Sequence, residues 1–301
     1  MGEGRGDLEA RRIFDNLMGM GAFYAYERQF WHALWRVPVL DAIEEHGIEA
    51  RHYGPIRAFA FRHEPLLSQF NILLGADLES AVSAGHLGDA LGWTESMGLD
   101  LRIPLRDGGP GGESGEAANY LGGRGYRLAG ALATFARATG PAGFPAPPGI
   151  EVEEVAVESE SFGTILSTPY GLEWTGCGFI IGLPSERDWR TYIAADESGP
   201  IAAAATMMHY DMPQMAFAGT LEQCRGRGGH LALLHRRIED ARATRATKIF
   251  AITEESLDCP ADFSAGARNL LRAGFRLADV RSVWQPPEEL LHPSTGRTPS
   301  L

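Results

Sequence analysis

QCRGRGGHLALL, residues 223–234, is the stretch whose reading decides the fold. Arg225, Gly226, Arg227, Gly228 and Gly229 stand directly before an apolar pattern. From there Leu231, Leu234, Ile238 and Ala241 recur at steps of 3, 4 and 3, which is one face of a helix. Glycine is a poor helix residue, so a run of it at a helix start needs another cause. A helix N-terminus offers N–H groups without intrahelical acceptors, together with the positive end of the helix dipole. Glycine lets an anion reach those groups with no Cβ in the way. A surface turn of solvated arginines is the competing reading.

Working outward, IEVEEVAV (150–157) alternates apolar and acidic residues and reads as a half-buried strand. WRTYIAADESGPIAAAATMM reads as a hairpin turning at Asp196–Gly199, and QMAFAG as a strand leading into the glycine loop. After the helix, KIFAIT (248–253) is a short strand, SAGARNLLRAG a helix ending at Gly274, and FRLADVRSVW a closing strand. This half therefore runs strands, glycine loop, helix, strand, helix, strand.

RGYRLAGALATF (124–135) aligns without a gap on AGFRLADVRSVW (273–284), and Asn119 and Asn269 stand just upstream. The offset is half the chain and predicts a tandem of two similar folds. ATGPAGFPAPPG (138–149) reads as the join. The first half repeats the order weakly. LDAIEEHG and AGHLGDALGWTESMG read as helices, IRAFAF and LDLRIPL as strands, and ESGEAANYLGGRG and YRLAGALATF close the half. Residues 8–36 read as aromatic-rich helix, and RDGGPGGESG (106–115) as a flexible or disordered loop.

The 301 residues carry a formal net charge of −12, which disfavours a nucleic-acid partner. No apolar run is long enough for a membrane span, and MGEGRGDLEARRIF has no apolar signal core, so a cytoplasmic location is expected. Cys177, Cys224 and Cys259 are too scattered for a zinc site or a disulfide framework, and no metal is expected.

QCRGRGGHLALLHRRIEDARA, FAITEE and ARNLLRAGFRLADVRSVWQPP together resemble the GCN5-related N-acetyltransferase (GNAT) superfamily over residues 150–287. The resemblance implies an α/β (α+β) fold of two tandem GNAT-like domains, each a mixed, mostly antiparallel twisted sheet flanked by helices. Residues 1–140 would be a degenerate first domain, 141–149 the linker, 150–287 the catalytic domain and 288–301 a tail. The first half has no arginine-glycine loop, and LLSQFNILLGADLES does not replace one, so it is not expected to bind coenzyme A. The implied activity is N-acetyl transfer from acetyl-CoA to a primary amine of a small molecule by direct attack. A non-catalytic CoA-binding or scaffold protein stays open, as does an unusual donor such as aminoacyl-tRNA or a carrier-bound acyl group. A homodimer is also left open.

By the same resemblance Arg225, Gly226, Arg227, Gly228, Gly229 and His230 would cradle the pyrophosphate, with His230 standing where a small residue is usual. Ala218, Gly219 and Thr220, on the strand before the loop, would line the pantetheine arm, and Asn269 would contact the cofactor. An amine arrives protonated and must lose a proton, and Glu254 at the end of its strand is the expected base, with Glu255 behind it. The family's tyrosine acid has no counterpart after residue 211, which leaves another group such as Ser264 or water for that role, or a protonation that is not enzymatic. Tyr170, Glu173, Trp174 and Asp211 are the expected amine contacts.

Overall fold

The computed structural model describes residues 20–37, 40–78, 80–106, 115–157, 159–170, 180–208, 212–259 and 261–291. The chain divides into two compact units, with the boundary between Arg36 and Val37. In the first, α1 (Met20–Leu34) carries the expected aromatics, with Phe23, Tyr26 and Phe30 buried and the Trp31 and Trp35 rings 5.2 Å apart.

The second unit holds both halves of the repeat. In chain order its elements begin α2 (Leu40–His46), β1 (Ile48–Tyr53), β2 (Ile56–Phe61), β3 (Ile72–Leu74), α3 (His86–Glu95), β4 (Ile103–Leu105), α4 (Glu116–Gly123) and β5 (Arg127–Ala138). They continue β6 (Glu151–Val155), α5 (Glu160–Tyr170), β7 (Trp189–Asp196), β8 (Gly199–Met207), β9 (Gln214–Thr220), α6 (Gly229–Arg242), β10 (Lys248–Glu255), α7 (Ala265–Arg272) and β11 (Arg276–Gln285). The hairpin, the strand before the loop, the helix after it and the closing strand all fall where the apolar periods place them. Three elements escaped the sequence reading. β1 is largely exposed and lacks a clean apolar alternation, β3 spans three residues, and α5 carries Pro169 near its end. LDLRIPL contributes only Ile103–Leu105 as strand. Residues 8–19 and 107–114 lie outside the described residues.

The strand order is β1-β2-β3 in one sheet and β4-β11-β5-β10-β9-β8-β7-β6 in the other. A parallel bridge from Ile72 to Arg102 joins them, reinforced by Leu73 N–H to Arg102 O at 2.9 Å and Arg102 N–H to Asn71 O at 2.8 Å. The closing strand of each half is exchanged. β5 lies between β10 and β11, and β11 pairs with β4 of the first half. The aligned repeat strands are thus hydrogen-bonded neighbours. Leu132 faces Arg281, its own repeat counterpart, and Ala133 faces Val280 while Ala131 faces Ser282. An approximate two-fold axis therefore passes through the Leu132–Arg281 pair. By the same offset Arg102 is the counterpart of Ala251, and each stands at the point where two parallel strands meet briefly.

α6 packs Ala232, Leu233, Leu234, Ile238 and Ala241 against the sheet, and all five are buried. Full burial of a Leu or Ile contributes about 1.5–3 kcal/mol. The segment before β6 is tied down along its first part. Thr139 N–H donates to Thr247 O at 2.9 Å, and Ala142 N–H donates to the Glu239 carboxylate at 2.7 Å.

Candidate active site

β9 and β10 run parallel but pair only at Gln214–Phe250 and Met215–Ala251, after which they part. At that point β9 is bulged. Ala216 faces Ala205 and Ala218 faces Ala204, so Phe217 is the extra residue, with φ at 33°. A cleft of about 680 Å³ opens here. Its lining includes Ala216, Phe217 and Ala218 from β9, Glu254 from β10, and His230, Leu234 and Arg237 from α6.

The glycine loop stands at the end of this cleft, because His230 in the first turn of α6 lines it. The first bond of the helix runs from Ala232 N–H to Gly228 O at 2.9 Å. Among the described residues, no acceptor is found for the N–H groups of Gly226, Gly228, Gly229, His230 and Leu231. Gly228 caps the helix with φ at 97°, a conformation that costs other residues, and a Cβ on it would come 3.1 Å from Pro147 Cβ. A Cβ on Gly229 would come 3.0 Å from Ala202 Cβ. The loop is shaped for glycine, with bare N–H groups at a 14-residue helix start, and that fits a bound anion. Arg225 is exposed, 3.7 Å from Glu222, while Arg227 is held to Asp196 and Ser198 at 3.2 Å.

His230 and Asn269, from α6 and α7, meet at 3.3 Å between Nδ1 and Nδ2. Burial first, and the Arg237 charge second, push the imidazole down to about 4, so it is neutral at physiological pH. Ala218 lines the cleft, and its N–H donates to the Tyr170 hydroxyl at 3.3 Å. Gly219 instead packs under α5, where a Cβ would sit 2.7 Å from Pro169 Cγ. Thr220 ends the ladder opposite Ala202, and neither residue lines the cleft.

Glu254 reaches the cleft with its side chain 56% exposed and is paired with Arg102 Nη1. Glu255 points elsewhere. It is buried and accepts from the Ser264 N–H at 2.6 Å and the Ser264 hydroxyl at 2.8 Å, while Ser264 Oγ caps α7. The Ser264 hydroxyl is thereby engaged with a carboxylate. A phenol does enter the cleft, from α5. Tyr170 packs near Phe70 and Phe217, and burial pushes its hydroxyl up to about 12. Glu173, Trp174 and Asp211 lie outside the described residues.

Sequence reasoning missed three contributors. Arg102 and Gln69 come from the first half, and Gln69 holds the Tyr170 carbonyl at 2.6 Å. Arg237 was visible in principle as a charged residue on the apolar face of α6, three positions after Leu234 and four before Ala241.

A parallel pair of strands that part at a bulge, followed by a glycine loop and helix, defines a known class of architecture. This chain is a tandem protein of the GCN5-related N-acetyltransferase fold. Among solved structures it is similar to a GCN5-related N-acetyltransferase from Sphaerobacter thermophilus, at 15% identity and a TM-score of 0.56, covering 77% of this chain and 76% of that one. A GCN5-related N-acetyltransferase from Kribbella flavida matches at 14% identity and a TM-score of 0.53, covering 82% and 92%. A tandem GNAT protein from the clavulanic acid biosynthesis pathway matches at 11% identity and a TM-score of 0.55, covering 76% and 77%. No family model and no curated protein matches the sequence. Among the described residues, no helix is long and apolar enough to cross a membrane.

Proposed function

We propose that this protein is an acyl-CoA-dependent N-acyltransferase that moves an acetyl group to a primary amine of a small molecule. The observation that carries the reading is the continuous path from the unpaired N–H groups before α6 into the cleft where β9 leaves β10. The fold shared with N-acetyltransferases supports it.

Gly226, Gly228, Gly229, His230 and Leu231 would hold the pyrophosphate through backbone N–H groups, with Arg225 and Arg227 adding positive charge beside them. Arg227 is already oriented by Asp196. Asn269 fixes the His230 ring, which as a neutral imidazole accepting at Nδ1 carries its proton on Nε2. When bound, the thioester supplies an activated acyl group. Glu254 takes the proton of the incoming ammonium, directly or through water. Arg102 holds one of its oxygens and so aims the other, which makes the first half of the chain part of the acceptor side. Tyr170 stands with its hydroxyl on the Ala218 N–H, protonated and placed to donate in the cleft. It fills the role that the sequence left without a tyrosine. Cytoplasmic location and absence of a nucleic-acid partner belong to the same proposal.

Calorimetry with acetyl-CoA should give micromolar affinity, and absence of binding would overturn the reading. A panel of amines followed by thiol release from acetyl-CoA then identifies the acceptor.

A further inference from the structure

Arg237 is the one charged side chain on the buried face of α6, and it is 3% exposed. Its Nη1 donates to Ala205 O at 3.1 Å and to Ala216 O at 3.2 Å, at the strand bulge. Its Nε has no acceptor among the described residues, and no described carboxylate pairs with it. Asp240, three residues on along the same helix, is already taken by Arg236 Nε at 2.9 Å and the Tyr192 hydroxyl at 2.8 Å. Burial lowers the guanidinium to about 10, which leaves it charged at neutral pH. A buried charge without a counter-ion is strongly disfavoured, and the described residues supply none, so the site calls for an added anion.

The cleft shows which partner. Arg102 is neutralised by Glu254, and His230 is uncharged, so among the described residues Arg237 leaves one unbalanced positive charge. A pyrophosphate at the glycine loop is at the far end. His230 and Arg237 are seven residues apart on α6, about 10 Å along the axis. Arg237 instead stands beneath Ala216 beside the bulge, the end of the cleft where the acyl group belongs in the proposed function. Met215, Leu234, Ala251 and Leu270 line the same space and suit methylene groups.

We infer that the acyl end of this cleft is built for an acyl-CoA whose acyl chain ends in a carboxylate, with Arg237 as the group that recognises it. The inference rests on the acyltransferase reading and narrows its donor. A guanidinium meeting a carboxylate makes charge-assisted bonds, which are the strong ones.

The test is calorimetry on the full chain with CoA, acetyl-CoA and succinyl-CoA, so that no turnover is needed. Succinyl-CoA should bind at least about tenfold tighter than acetyl-CoA. In Arg237→Met that difference should vanish while CoA itself still binds, and Arg237→Lys should retain part of it. Equal affinity of the wild type for both acyl-CoAs, with CoA bound, overturns the inference and leaves the acyltransferase reading standing. No binding of CoA overturns both. If Arg237→Met weakens all three ligands alike, Arg237 props the bulge and the inference falls. The wild-type comparison stands even if that variant does not fold.

Discussion

Gly228 is the residue on which the anion-binding reading can be tested most sharply. Two substitutions separate shape from charge. Asparagine and aspartate both visit left-handed backbone conformations and differ little in size, so Gly228→Asn and Gly228→Asp carry the same conformational penalty, about 1–2 kcal/mol. The Cβ of either meets Pro147 at 3.1 Å, so both variants should melt lower than the wild type, by about 2–8 °C. Binding should then split them. Charge-assisted hydrogen bonds are worth about 1.5–3 kcal/mol each, so losing two costs about 3–6 kcal/mol. A fixed carboxylate about 4 Å from a phosphate adds repulsion of about 4 kcal/mol at a near-surface dielectric. Gly228→Asp should therefore bind acetyl-CoA at least about 100-fold more weakly than Gly228→Asn. Calorimetry on the pair decides the matter. Equal affinity of the two variants would show that no anion sits on this loop.

Other perturbations follow from the same geometry. Glu254→Gln should lower turnover by about 10²-fold with CoA affinity unchanged, and wild-type activity across the pH range in that variant would remove Glu254 as the base. Ser264→Ala deletes a helix cap and a partner of buried Glu255, and should cost about 1–2 kcal/mol in denaturant titration. An unchanged midpoint would refute the capping role. Gly219→Ala places a Cβ 2.7 Å from Pro169 Cγ and 3.0 Å from the Ile165 carbonyl, and should cost about 1–3 kcal/mol, read as a lower melting temperature. His230 is held near 4 in the fold against 6.5 ordinarily, so between these values the unfolded chain binds more protons. Its contribution to stability is complete above about 6.5 and is lost as pH falls toward 4. His230→Gln should flatten that part of the melting-temperature profile, and identical profiles would contradict the burial argument.

Much of the second half was legible because its signals are local. The 3.6-residue period of α6, the alternation in the hairpin and the glycine run each sit within about a dozen residues, and the structure places each where its pattern falls. The candidate site was only half legible. The loop came from its glycines, Glu254 from the need for a base and Asn269 from the resemblance, whereas Arg102 reaches Glu254 across 152 positions of sequence and no local pattern announces such a contact. β3 was obscure, and β4 was read too long, because three-residue strands carry no measurable period. Tyr170 was noticed for its chemistry, but Gln69 on its backbone carbonyl and the Ala218 N–H on its hydroxyl are partners that only the fold brings together. Arg237 shows the opposite failure. Its place in the pattern was plain, and a charge on an apolar stripe is a signal in itself.

The exchanged strands bear on how the molecule can be divided. With β5 hydrogen-bonded to β10 on one side and β11 on the other, the halves are interlocked like clasped hands. A protease that cuts within residues 143–149 would nick the backbone and release nothing, because the fragment carrying β5 stays woven into its complement. Made as two separate polypeptides, each half would expose open strand edges, which makes it sticky alone and complementary to the other. Reconstitution from such fragments, with CoA binding restored only on mixing, is the behaviour this topology dictates.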